Sequence, residues 1–176
     1  MPCPSPVGSK SISDVLKAHP GLRTAYLNVA QGGVYLQPTA VQTVLGSCLS
    51  VCFHVPARNI GAIFHAFLPR SADFDKCFPP EPYKYVDTAI AAVMEKLEHM
   101  QVRPGDIRVK LVGGANALVD SHSGIGRKNV AVAREMLAGL GLAVVRSDVG
   151  GPAGRKVLYL TQTGDLFITC LRGIDP

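Results

Sequence analysis

The sequence lacks the marks of several large protein classes. It has no apolar stretch long enough to span a membrane. Its first residues, MPCPSPVGSK, hold no apolar segment of the kind a secretory signal requires, so a cytoplasmic location without membrane insertion is expected. Charge is sparse: 18% of residues are charged, and the net charge of +5 is scattered along the chain. Aromatic residues make up 6%. A nucleic-acid binder needs a basic cluster or a platform of stacking aromatics, and neither is present. The modest positive charge suits a soluble surface; an acidic protein partner is its other possible use. Cysteine occurs five times, at Cys3, Cys48, Cys52, Cys77 and Cys170, an odd number with no CxxC pair. That pattern speaks against a disulfide framework and against a zinc site, and it predicts reduced thiols in a reducing compartment.

What is present points to one folded domain. The 176 residues are 47% apolar, enough for a real core, and 18 glycines with 13 prolines predict short strands and tight turns. Residues 1–22 read as a loosely attached arm, with a short helix from Ser11 to Ala18 ended by His19-Pro20-Gly21, and residues 23–176 as the domain that carries the chemistry. Residues 24–29 and 34–37 read as strands of a hairpin around Gln31-Gly32-Gly33. Further strands are expected at 41–45, 48–54, 60–68, 107–112, 142–146, 156–161 and 166–171, the last two joined across Thr163-Gly164. Residues 70–82 read as a surface loop. Val86, Ile90, Val93, Met94 and Leu97 recur at helical spacing and predict a helix over residues 83–100. Ser123 can cap a second helix that buries Val130, Ala133, Met136, Leu137 and Leu140 and stops at Gly139 or Gly141. About eight strands and two main helices predict an α/β fold, a single-domain sandwich with mixed and antiparallel strands.

Cys48 and His65 stand out as a pair. They lie on two apolar strands joined by a turn at residues 55–59. Facing residues of an antiparallel hairpin have a constant sum of numbers, and a sum of 113 for Cys48 with His65 centres the hairpin between Pro56 and Ala57, inside that turn. The two side chains then face each other with Cβ atoms about 4.5–5.5 Å apart, the basic unit of a cysteine hydrolase. His54 shares a strand with Cys48 but lies roughly 20 Å away at about 3.3 Å per residue, so geometry selects His65. An adjacent imidazole can lower a thiol pKa and stabilise the ion pair. Gly46-Ser47 permits a sharp turn whose backbone N–H groups can point at a developing oxyanion, and Thr43 is a candidate to orient the imidazole. On residue type alone, an inert core thiol at Cys48 outweighs a reactive one. Cys52, Cys77 and Cys170 have no partner in this reading.

The run Thr43-Val44-Leu45-Gly46-Ser47-Cys48 resembles the T-x-L-G-S-C signature of the CheD family of chemoreceptor glutamine deamidases. Gly61-Ala62-Ile63-Phe64-His65-Ala66-Phe67-Leu68-Pro69 is similar to that family's G-G-x-x-H-x-x-L-P segment, with Ala62 where glycine is frequent. The runs from Lys110 to Ala115 and from Ile125 to Val130, then Asp148-Val149-Gly150-Gly151 with Gly154-Arg155-Lys156, follow in the same order. The resemblance covers roughly residues 24–172 and implies a CheD-like fold. It implies Cys48 as nucleophile, His65 as base and Thr43 as the third member; some members carry the threonine six residues before the cysteine, where this chain has Gln42. The implied reaction is hydrolysis of glutamine side chains to glutamate through a thioester, without metal or organic cofactor. The implied substrate is the cytoplasmic helical domain of chemoreceptors. A CheC-type phosphatase is a further implied partner, and an adaptor role built on such binding is the alternative to catalysis.

Overall fold

In the computed structural model the described residues are 12–74, 81–116 and 124–171. The helices among them are α1 (Ile12–Ala18), α2 (Val86–His99) and α3 (Ile125–Gly139). The strands are β1 (Arg23–Tyr26), β2 (Gln31–Tyr35), β3 (Thr39–Leu45), β4 (Leu49–Val55), β5 (Ile60–His65), β6 (Arg108–Gly113), β7 (Ala143–Val149), β8 (Arg155–Leu160) and β9 (Asp165–Cys170). They form a four-stranded sheet in the order β1-β3-β8-β9 and a five-stranded sheet in the order β2-β5-β4-β6-β7. Each sheet has one parallel pair, β1 with β3 and β6 with β7. The expected α/β sandwich with mixed sheets is therefore the observed architecture.

Alternation along the strands builds four layers. Leu49, Val51 and Phe53 point to α2 and α3 and bury against Val86, Ile90, Val93, Ala133 and Leu137. Cys52 and Ile63 point the other way and meet Val41, Leu45, Val157 and Tyr159 of the second sheet. Both faces of β4 are covered, which is why LSVCFHV shows little polarity. On the outer face of the four-stranded sheet, α1 buries Ile12 and Val15 against Ala40, Leu158 and Leu160. A seven-residue helix is not stable alone, so this burial, worth about 1.5–3 kcal/mol per side chain, holds it. From Ile12 onward the arm is docked rather than loose.

Several sequence expectations are corrected. β1 and β2 are not a hairpin: they belong to different sheets. Gly32 and Gly33 sit inside β2. Gly32 stands where a Cβ would lie 2.6 Å from the Phe64 Cβ, so glycine there serves close strand approach, not a turn. The β4–β5 register sums to 115, with Cys52 opposite Ile63, Val55 opposite Ile60 and Leu49 opposite Ala66. The hairpin loop takes a 3-10 turn over Pro56–Arg58 and a left-handed Asn59, which moves its centre one residue along. The buried face of α3 is Gly126, Asn129, Val132, Ala133 and Leu137; Val130 and Met136 are only partly buried and Leu140 is 38% exposed. Gly124 precedes this helix as its cap, and Ser123 lies outside the described residues. Cys170 is disulfide-bonded, so the expectation of a wholly reduced cysteine set does not hold.

The registers bring the ends of β1, β3, β5, β6 and β7 to one end of the sandwich, together with the starts of β2, β4 and β8. The chain crosses between sheets three times there, at residues 27–30, at Gly46-Ser47-Cys48 and at residues 150–154. The candidate residues collect around those crossings.

Candidate active site

Thr43 and His65 approach from opposite sheets. In β3, Val41 and Leu45 face the inter-sheet core, so Thr43 between them does too; in β5, Ile63 does and His65 follows it. Thr43 is 1% exposed and His65 4%. Thr43 Oγ1 lies 2.8 Å from His65 Nδ1 and 2.9 Å from the Leu27 carbonyl oxygen. A carbonyl only accepts, so the single hydroxyl proton goes to Leu27 O. Thr43 Oγ1 is then the acceptor, and Nδ1 carries the proton it receives. This assignment leaves Nε2 as the bare nitrogen of the ring, buried and without a hydrogen-bond partner. Gln42, by contrast, is half-buried on the other face of β3, and what it offers this region is its backbone oxygen, bonded by Leu27 N at 2.9 Å.

Cys48 sits in the second crossing, one residue before β4, and is partly exposed. With the register at 115 it falls opposite Phe67, and His65 faces Ser50. Moving the register by two preserves face, so Cys48 and His65 share the inter-sheet side as diagonal neighbours. That places their backbones about 7–8 Å apart, still within side-chain reach.

The turn bearing Cys48 is held by its carbonyls. Ala115 N donates to Gly46 O at 2.9 Å, Asn129 Nδ2 to Ser47 O at 3.0 Å, and Gly114 N to Cys48 O at 2.7 Å. In a trans peptide the N–H points opposite to the C=O. The Ser47 and Cys48 N–H groups are therefore turned away from this scaffold, and the Cys48 N–H lies against its own sulfur, opposing the upward push on the thiol. Such a pair of amides can stabilise an oxyanion.

Asn129, inside the run from Ile125 to Val130, has a place at the site that its sequence position does not announce. It is fully buried and its Nδ2 also donates to Phe67 O at 3.2 Å, so one amide joins the Cys48 turn to the chain beyond His65. Its signal was a polar residue in the buried stripe of an amphipathic helix. Gly113, with φ +113, lies so close that a side chain there would run into the Cys48 carbonyl. Gly150 N donates to Gly113 O at 2.9 Å, and Arg155 pins that loop through Asp148 Oδ1 at 2.9 Å and Gly150 O at 2.8 Å. The glycine and Arg155 runs thus buttress the turn that bears Cys48.

Electrostatics favour a neutral resting pair. Burial pushes the Cys48 thiol above its ordinary pKa. Burial also lowers that of His65, with the Leu27 carbonyl opposing. The expected thiolate–imidazolium pair is thus disfavoured at rest. His54 is occupied elsewhere: its Nε2 lies 3.1 Å from Gln162 O. Cys52 is fully buried, its pKa raised beyond the accessible range. Among the described residues no group of three or more His, Cys, Asp or Glu could hold a metal ion, and no helix is long and apolar enough to cross a membrane.

Comparison with known proteins covers most of the chain. The family described as CheD chemotactic sensory transduction matches residues 67–170, more than half of the sequence. That stretch begins just after His65 and takes in Gly113, Asn129 and Arg155. A probable chemoreceptor glutamine deamidase CheD from Maridesulfovibrio salexigens is 38% identical over 84% of this chain and 91% of its own length. A probable chemoreceptor glutamine deamidase CheD 2 from Geobacter sulfurreducens is 38% identical over 85% and 91%. The chemoreceptor glutamine deamidase CheD of Thermotoga maritima is 32% identical over 84% and 92%.

Proposed function

This chain belongs to the CheD family, and from that premise we propose that it hydrolyses glutamine side chains of chemoreceptors to glutamate, with Cys48 as nucleophile, His65 as base and Thr43 as the residue that orients it. The observation that carries the reading is the Thr43–His65 bond, which keeps the proton on Nδ1 and leaves Nε2 bare on the face shared with Cys48.

As the sulfur attacks the side-chain carbonyl, Nε2 takes the thiol proton, which the neutral resting pair keeps in place until that moment. The oxyanion is received by the Ser47 and Cys48 N–H groups, beyond the bend at Gly46. His65 then gives its proton to the departing nitrogen, ammonia leaves, and a thioester remains on Cys48. Water, deprotonated at Nε2, attacks the thioester; the carbon–sulfur bond breaks and glutamate is released. Proton transfer of this kind contributes about 10²–10⁴-fold, and one oxyanion donor about 10²–10³-fold. The substrate, the cytoplasmic helical domain of a receptor, puts the protein in the cytoplasm.

The test is mass spectrometry of a purified receptor signalling fragment after incubation with the protein. The expected result is site-specific change of glutamine to glutamate, abolished by Cys48→Ala. No conversion on any receptor fragment, with binding intact, refutes catalysis and leaves the adaptor role, with a CheC-type phosphatase as the partner to test next.

A further inference from the structure

Ser50 interrupts an apolar run at the start of β4. It is wholly buried, and its Oγ has no hydrogen-bond partner. A buried hydroxyl left unpaired costs about 1–3 kcal/mol, which an alanine at the same place avoids. Strand alternation puts Ser50 on the inter-sheet side, two residues after Cys48 and two before Cys52. The register places it directly opposite His65. His65 Nε2, on the same inter-sheet face, is likewise buried and unpaired; Asn129 Oδ1, the further unpaired atom near the Cys48 turn, belongs to α3 on the opposite side of the sheet. On its remaining side Ser50 faces Val112, which offers no polar group. The β4–β5 ladder is also interrupted here: regular pairing ends at Cys52 with Ile63 and resumes only at Leu49 with Ala66. Continued through the gap between the bonded pair Leu49–Ala66 and Cys52–Ile63, the register thus sets two unpaired polar atoms across from each other on the face that Cys48 shares.

We propose that Ser50 is a further member of the site: its hydroxyl and His65 Nε2 together hold the water that opens the Cys48 thioester. The proposal rests on the deamidation reading above. Ser50 supplies a donor and acceptor and Nε2 an acceptor, so one water can bond to both. Once Cys48 is acylated, its sulfur has no proton to offer Nε2, and this water becomes its partner. The water gives a proton to Nε2 while its oxygen bonds to the thioester carbon. The carbon–sulfur bond then breaks, and the leaving sulfur takes the proton back from the imidazolium. In this account Ser50 acts in the second half-reaction alone.

The experiment follows ammonia release from a receptor fragment and looks for a covalent conjugate between fragment and Cys48. For Ser50→Ala the first turnover should match wild type, later turnovers should slow about tenfold, the rate equivalent of one hydrogen bond, and the conjugate should accumulate and be released by hydroxylamine. Ser50→Cys, nearly isosteric but a weak hydrogen-bonding group, should behave alike and guards against a folding defect, while Ser50→Thr should restore turnover. Turnover within twofold of wild type in both the alanine and cysteine variants overturns the assignment. So does equal slowing of first and later turnovers with no conjugate. If wild-type protein releases no ammonia, the deamidation reading itself fails; if wild type turns over and the variants build no conjugate, only the role of Ser50 fails.

Discussion

Replacing Thr43 by valine tests the orienting role. Thr43 Oγ1 joins Leu27 O at 2.9 Å and His65 Nδ1 at 2.8 Å, across two sheets and within a buried layer. Valine keeps the shape and removes both bonds. Each buried partner left bare costs about 1–3 kcal/mol, so the fold should lose about 2–6 kcal/mol, seen as a lower urea midpoint with unchanged slope. Catalysis should suffer separately. Without its acceptor the Nδ1 proton is no longer held, and the tautomer bearing a proton on Nε2 cannot act as base. A loss of about 1.4–2.7 kcal/mol corresponds to roughly 10–100-fold in kcat, with KM little changed because Thr43 lies behind the imidazole. Thr43→Ser keeps the hydroxyl and should recover most of the rate. Gln42→Ala should be nearly silent, since the backbone oxygen of residue 42 still accepts from Leu27 N. Two results refute the reasoning: a kcat within twofold of wild type for Thr43→Val, or greater damage from Gln42→Ala.

Asn129→Ala strips donors from Ser47 O and Phe67 O; it should lower stability by roughly 2–4 kcal/mol in urea unfolding and slow turnover, and wild-type values for both would contradict its place in the turn. Burial holds His65 below its ordinary pKa of 6.5, so the acid limb of kcat/KM should fall below pH 6.5. The unfolded chain takes up that proton first as pH drops. The His65 contribution to stability is therefore complete above about pH 6.5 and is lost as pH falls toward the folded value. An activity inflection above 6.5 in a pH profile would speak against this. Burial likewise keeps Cys48 protonated, and its alkylation by iodoacetamide at neutral pH should be slower than that of an unburied cysteine; faster alkylation would point to the ion pair instead.

Face was legible in the sequence where register was not. Whether two strand residues share a side depends on the parity of their sum, and 113 and 115 have the same parity. Cys48 and His65 therefore keep a common face although their pairing shifts, and Ser50 takes the position opposite His65. The shift came from the turn, because a left-handed Asn59 after Pro56–Arg58 is one of several closures that Pro56 permits. Gly32-Gly33 misled for a related reason: paired glycines mark turns, and also strands that approach closely, and only Phe64 and Tyr83 beside them decide which. On α3 the apolar periodicity was real but the stripe was placed one position off, because Asn129 belongs to the buried side and reads as polar.

By itself the sequence determined the composition of the layers, the apolar faces of the central strands and the chemistry on offer at Cys48, His65 and Thr43. These are local properties, carried by residue type and spacing. The tertiary structure alone decided that Thr43 rather than Gln42 reaches His65, that Nε2 is the free nitrogen, and that Asn129, Gly113 and Arg155 brace the turn bearing Cys48. Each of those joins residues far apart in the chain. The physical reason is that a hydrogen bond between sheets depends on how the two sheets pack, and the periodicity of either strand carries no record of its partner.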